Sequence, residues 1–259
     1  MNYGAVAVAF LLLLAFIYLY RKSRSRLQPA VAADHTRKIL EDQVPFYRKL
    51  QATDKPSFEE RVNDFLAHTA ITGIGTEVTI EDRILVGASA IIPIFAFPGW
   101  RYRNIQEVLV YKDTFNKDFS QTEEERNILG MVGDGALNNT MILSQQALRG
   151  GFDRNDGHNT AIHEFAHLLD KADGSVDGIP EYLMDKQQTA PWLHHIRQEI
   201  ANIRSHDNDA DINPYAATNE AEFFAVITEY FFEKPNELQA HHPKLYNDLQ
   251  KIFGNQIAE

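Results

Sequence analysis

Five consecutive residues, His163, Glu164, Phe165, Ala166 and His167, constrain this chain more than any other stretch. On an α-helix, residues i and i+4 lie one turn apart on the same face, so the two imidazoles can aim nitrogens at one point. Glu164 lies beside them. A catalytic zinc takes three protein ligands and keeps its fourth position for water, whose pKa falls to about 7 on coordination. A carboxylate next to that water can take its proton during attack on a carbonyl and return it to a leaving amine. The neighbours favour a buried, rigid helix, because Ile162, Phe165, Ala166, Leu168 and Leu169 surround the motif. Just upstream, TMILS (140–144) reads as a strand, and RGGFDRNDG reads as a glycine-rich loop leading from it to the helix. A strand beside such a helix could take an extended peptide along its edge.

Two histidines leave a catalytic site incomplete, so a third donor must come from elsewhere. Asp173 falls at the eleventh position of the longer outline H-E-x-x-H-x-x-G-x-x-H. That outline needs glycine at its eighth position, where the chain breaks from the helix, and here Asp170 stands there. Asp170 is better placed to accept a hydrogen bond from a histidine and fix its tautomer. Farther on, NEAEFFAVITEYFF (219–232) has a helical and almost wholly apolar pattern, yet it carries Glu220, Glu222 and Glu229, with Glu233 just beyond. A carboxylate in so apolar a helix must reach water, a partner or a metal, because burying it bare costs several kcal/mol. Glu220 and Glu233, near the ends, can be solvated. Glu222 and Glu229 lie about two turns apart on one face, and spacing alone leaves both open as the third ligand.

The rest of the chain supplies a frame for these helices. EDQVPFYRKL leads into a helical stretch, and SFEERVNDFLAHTAI reads as a helix opened by a capping box of Ser57 and Glu60. GTEVTIEDRILVGASAIIPIF gives a short extended piece and then a helix from about Glu81 to near Pro93, and IQEVLVYKDTF a buried strand, mainly Val108 to Tyr111. SQTEEERNI (120–128) reads as a solvated excursion. Strands followed by the histidine helix and further helices predict an α+β, metallopeptidase-like domain with a small sheet.

At the N-terminus, MNYGAVAVAFLLLLAFIYLY carries no charged side chain and would span about 30 Å as a helix, the thickness of a bilayer core. Tyr3, Tyr18 and Tyr20 fall where aromatic belts form, and RKSRSR follows at once. A secretory signal would want a basic start and a small-residue cleavage site, and MNYG offers no basic side chain. The pattern predicts an uncleaved transmembrane anchor over residues 1–20, a basic juxtamembrane linker over 21–44 and a zinc peptidase domain over 45–259. The positive-inside rule places that domain in the cytoplasm, against the inner membrane. The formal net charge of −11 argues against nucleic-acid binding, and the absence of cysteine excludes disulfides and thiolate ligands.

HEFAHLLD followed by NPYAATNEAEFFAVITEYFF resembles the Mlc titration factor A family of zinc-dependent peptidases, itself similar in its active site to the anthrax lethal factor peptidase. RVNDFLAHTAITGIG, VLVYKDTF and MILS also look like that family, so the resemblance covers about residues 45 to 250 and leaves the expected anchor outside. It implies a zincin-like fold with one Zn²⁺ ion held by His163, His167 and Glu222, and it implies a catalytic tyrosine at Tyr215. Glu164 would then act as general base and Tyr215 would donate to the oxyanion, with a peptide or protein as substrate. Some relatives are described with a further upstream histidine ligand, and no histidine lies between His68 and His158 here. The family takes its name from sequestering a transcriptional repressor, so the resemblance also implies an alternative: a regulatory protein that binds such a partner.

Overall fold

The middle of the chain builds a four-stranded sheet, in which EVLVY and TMILS supply the apolar runs that buried strands require. The computed structural model describes residues 32–116, 121, 128–133, 135–153, 157–205 and 211–254. Contacts divide residues 1–30 from a unit spanning 31–259, and the fold below is that of the second unit. It opens with helices α1 (Ala33–Gln43), α2 (Pro45–Lys49) and α3 (Lys55–His68). The basic linker expected over residues 21–44 is helical from Ala33 to Gln43, where Leu40, and Val44 just after the helix, are fully buried. Strand β1 (Ala70–Ile74) and helix α4 (Ile80–Ile91) follow, then β2 (Glu107–Tyr111), β3 (Gly130–Val132) and β4 (Thr140–Ser144).

The strands lie in the order β1-β2-β4-β3, with β1, β2 and β4 mutually parallel and β3 antiparallel to β4. Val108, Val110, Met141 and Leu143 alternate onto one fully buried face, while Tyr111, Phe115 and Ile142 form a smaller cluster on the other. TMILS is therefore an interior strand. The sheet edge next to the site is β3, a strand over residues 130–132 that follows the polar stretch 120–128 and to which no sequence pattern assigns an element. Most of that polar excursion lies outside the described residues.

Helix α5 (Gln145–Asp153) occupies part of the stretch expected to be a glycine-rich loop. Its Leu148 and Phe152, one turn apart, are buried, and its Arg149 and Gln145 donate to the fully buried Asp82 of α4. Gly151 lies within the helix, and glycine is needed there because a Cβ would lie 2.8 Å from the side chain of Asn159. The capping box at the start of α4 is formed by Thr79 and Asp82. None forms at Ser57, because α3 has already begun at Lys55 with Pro56 in its first turn.

The histidine motif lies on α6 (Thr160–Asp170), and a 20-residue helix, α7 (Lys186–Ser205), precedes α8 (Glu220–Glu233), α9 (Pro235–His241) and α10 (Pro243–Phe253). Helix α8 runs through the core. Its Phe223, Phe224 and Phe231 are fully buried, each contributing about 1.5–3 kcal/mol of burial, with Phe231 and Phe224 stacked against Phe253 of α10. The α+β class with a small sheet is thus as expected.

The expected membrane location is corrected. No helix among the described residues is long and apolar enough to cross a membrane. The longest, α7, is studded with charged and polar side chains, and the most apolar, α8, has 14 residues and is enclosed by protein. The anchor expected over residues 1–20 lies outside the described residues, and nothing in the described fold assigns the chain to a bilayer.

Candidate metal centre

Two asparagine caps set the backbone on which the site is built. Asn159, fully buried, accepts the Ile162 N–H at 3.1 Å and so fixes the first turn of α6, one turn before His163. Asn219 does the same for α8 by accepting the N–H of Glu222 itself at 2.9 Å. With both helix starts fixed and the two helices packed together, one face of α6 meets the first turn of α8.

There His163, His167 and Glu222 converge. The Nε2 atoms of the two histidines lie 3.1 Å apart, and Glu222 Oε2 lies 3.2 Å from His163 Nε2 and 3.4 Å from His167 Nε2. A tetrahedral zinc with ligand bonds of about 2.0–2.1 Å requires donor separations of about 3.3 Å. The triangle is close to those separations, and two imidazoles with one carboxylate are donors that could hold a metal ion. These are the only three residues that meet in this way among the described residues, and no further histidine joins them.

The electrostatics follow from the same contacts. Burial pushes the His163 imidazole down, but the hydrogen-bonded carboxylates of Glu222 and Glu229 outweigh it and lift the group to about 10. Burial likewise pushes Glu222 up, and the two histidines overcome it and hold the carboxyl far below its usual range.

Glu164 points from the same helix but stays out of the triangle. It is 5% exposed, and burial raises its carboxyl against the pull of His163 and His167. Strand β3 walls it in: a Cβ on Gly130 would lie 2.7 Å from Glu164 Oε1. Tyr215 sits on a short 3₁₀ turn, Pro214–Ala217, with its ring centroid 6.2 Å from that of His163. Asn213 caps that turn by accepting the Tyr215 N–H at 3.0 Å, and Arg204 of α7 donates to the Ala217 carbonyl at its end. Burial raises the Tyr215 hydroxyl, and so do the charges of Glu222 and Glu164.

Asp170 is placed otherwise than expected. Its fully buried carboxylate accepts the backbone N–H groups of Asp177, Gly178 and Ile179, folding the following loop back onto the end of α6. Burial pushes this carboxyl up to about 6 against the pull of those amides. The carboxylate on a histidine is instead Glu229, 2.7 Å from His163 Nδ1. The reason is directional: the short Asp170 side chain, in the last turn of α6, reaches the chain that leaves the helix, whereas α8 lies alongside His163. Asp173 is also outside the triangle, accepting the Ser175 N–H, and the left-handed glycine that ends the helical run is Gly174 at φ 102°. Asp170→Ala leaves buried amides without acceptors and is expected to cost about 2–4 kcal/mol in chemical denaturation.

Sequence reasoning did not single out Asn159, Asn219 or Gly130. The two caps carried a readable signal, an asparagine directly before each apolar helical run. Gly130 carried none, because its neighbour comes from a residue 34 positions away that only the fold brings near.

Comparison with known proteins places these features in context. Residues 18–254 match the family described as glucose-regulated metallo-peptidase M90. An uncharacterised protein of Synechocystis sp. is 34% identical over 231 residues, covering 85% of this chain and 83% of that protein. The protein named Mlc titration factor A of Pectobacterium atrosepticum is 30% identical over 176 residues, 62% of this chain and 64% of its own length. Its namesake in Klebsiella pneumoniae is 26% identical over 218 residues, 78% of this chain and 80% of its own length.

Proposed function

The chain belongs to the glucose-regulated metallo-peptidase M90 family, and from that premise we propose that it is a zinc-dependent peptidase with a zincin-like fold, whose centre is His163, His167 and Glu222. The observation that carries the proposal is the triangle of three donors separated by 3.1, 3.2 and 3.4 Å, with a buried carboxylate and a tyrosine beside it. When bound, the ion supplies a Lewis acid that polarises a carbonyl and acidifies water. Glu164 accepts a proton from the attacking water on its carboxylate and delivers it to the departing amine nitrogen. Its burial, at 5% exposure and walled by Gly130, fixes where that carboxylate can meet the water. The Tyr215 hydroxyl donates to the oxygen that becomes negative as the carbonyl is attacked. Its half-exposed position lets it reach a bound substrate while the Asn213 and Arg204 contacts hold its backbone.

Strand β3 provides a way to hold the substrate chain. Leu129 O accepts from Ser144 N–H and Gly133 N–H donates to Thr140 O, so those residues bond inward to β4. Alternation then turns the N–H and C=O of Gly130 and Val132 to the open side, next to Glu164. An extended peptide adding there would lie along the site. Gly130→Ala thrusts a methyl group against the Glu164 carboxylate and is expected to lower kcat by about a hundredfold with metal content unchanged. Measurement of both on the same preparation checks this.

The relatives' name supports a second reading, that the chain also binds a protein partner in the manner of an Mlc-titrating factor. Metal content together with peptide-library hydrolysis, before and after chelation, tests the peptidase proposal. Chelation that abolishes hydrolysis supports it, and hydrolysis that survives complete metal removal refutes it. Partner binding unaffected by chelation would place the second role on another surface.

A further inference from the structure

One buried carboxylate at the centre has no part in the chemistry proposed above. Glu229 lies about two turns beyond Glu222 on the same face of α8 and is 6% exposed. Both its oxygens are engaged. Oε1 lies 2.7 Å from His163 Nδ1, and Oε2 accepts the backbone N–H of Asn159 at 2.7 Å. Residues 159 and 163 are four apart, so the carboxylate spans one turn of α6 from its cap to its first histidine. Asn159 extends the link, donating through Nδ2 to Gly151 O of α5 and to Glu233 Oε1, both at 3.1 Å.

We infer that Glu229 is the positioning residue of the metal centre: it orients His163 through Nδ1 and ties that orientation to the capped start of α6. The inference rests on the reading that His163, His167 and Glu222 hold the ion. A carboxylate can only accept a hydrogen bond, so Nδ1 carries the hydrogen in this pair and Nε2 is the nitrogen turned toward His167 and Glu222. An unrestrained imidazole turns about its Cβ–Cγ bond through a broad, nearly two-fold profile. This ring cannot turn without giving up the 2.7 Å contact. A second contact on the same carboxylate, to a backbone amide that cannot move independently of the helix, prevents Glu229 from following the ring.

A plain staple between two helices would make a different prediction, because it would affect unfolding and leave the metal affinity of the folded protein alone. The test is zinc affinity of the purified full chain, by competition with a chromophoric chelator, for wild type, Glu229→Ala, Glu229→Gln and Glu233→Gln, each first shown by thermal unfolding to be folded without metal. Glu229→Ala is expected to bind zinc about 10–100-fold more weakly. Glu229→Gln, which has one acceptor oxygen for two donors, should fall between it and wild type, and it carries the test if the alanine variant does not fold. Glu233→Gln, which disturbs Asn159 without touching His163, should bind within about twofold of wild type. Unchanged affinity in folded Glu229→Ala and Glu229→Gln, or an equal loss in Glu233→Gln, overturns the inference while leaving the metal centre intact. A wild-type chain that takes up no zinc overturns the underlying reading instead.

Discussion

Glu164→Gln should bind zinc as tightly as wild type and hydrolyse peptides about 10²–10⁴ times more slowly, the usual contribution of a positioned general base. The substitution keeps the shape of a side chain that is 5% exposed and is not one of the three donors of the triangle. It removes only the capacity to accept a proton. The loss should lie in kcat, with the Michaelis constant little changed, because an amide leaves substrate binding along β3 undisturbed. Steady-state kinetics on metal-loaded protein, beside a zinc titration, read both quantities. Near-normal turnover in this variant would show that proton transfer uses another group, and Tyr215, beside His163 and outside the triangle of donors, would be the first to substitute.

Glu222→Ala should have the opposite signature, losing the metal and activity together. Removing a carboxylate that merely orients a zinc histidine costs about 10–100-fold in affinity, so removing one that binds the ion directly should cost more than a hundredfold. The result separates the two acidic residues that sequence spacing could not. Glu222 Oε2 completes the triangle at 3.2 and 3.4 Å, while Glu229 reaches only the far nitrogen of His163. If zinc affinity survives in Glu222→Ala and disappears in Glu229→Ala, the ligand assignment is reversed.

The histidine pair was readable because helical periodicity alone puts residues four apart on one face, and the apolar neighbours that signalled burial are buried. TMILS and VLVY were readable as strands for the same local reason, but their order in the sheet was not. Which strand forms an edge depends on pairing between distant segments, and β3 is only three residues long, too short for a period of two to register. The helix over Gln145–Asp153 was hidden by Gly150 and Gly151, residues that ordinarily mark a loop. What holds it there is a salt bridge from Arg149 to the buried Asp82, distant in the chain, and the close passage of Asn159 just beyond the helix.

The site divides along the same line. Glu222 was favoured over Glu229 only by family resemblance, because residues two turns apart on one helix look alike until a second helix is placed against them. Asp170 was read as a partner for histidine from its distance along the helix. Its three contacts to the amides of residues 177–179 depend on a loop whose return no local pattern announces. The N-terminal signal for membrane insertion falls on residues 1–20, outside the described residues, and no described helix is long and apolar enough to cross a membrane.

The central claim is that one zinc ion sits among His163, His167 and Glu222. Anomalous diffraction at the zinc edge, on crystals grown with stoichiometric zinc, tests it most directly. The account predicts a single strong peak about 2.0–2.2 Å from His163 Nε2, His167 Nε2 and a Glu222 carboxylate oxygen, with Glu229 at hydrogen-bonding distance from Nδ1. A peak elsewhere, or a triangle that stays empty at full zinc, would contradict it.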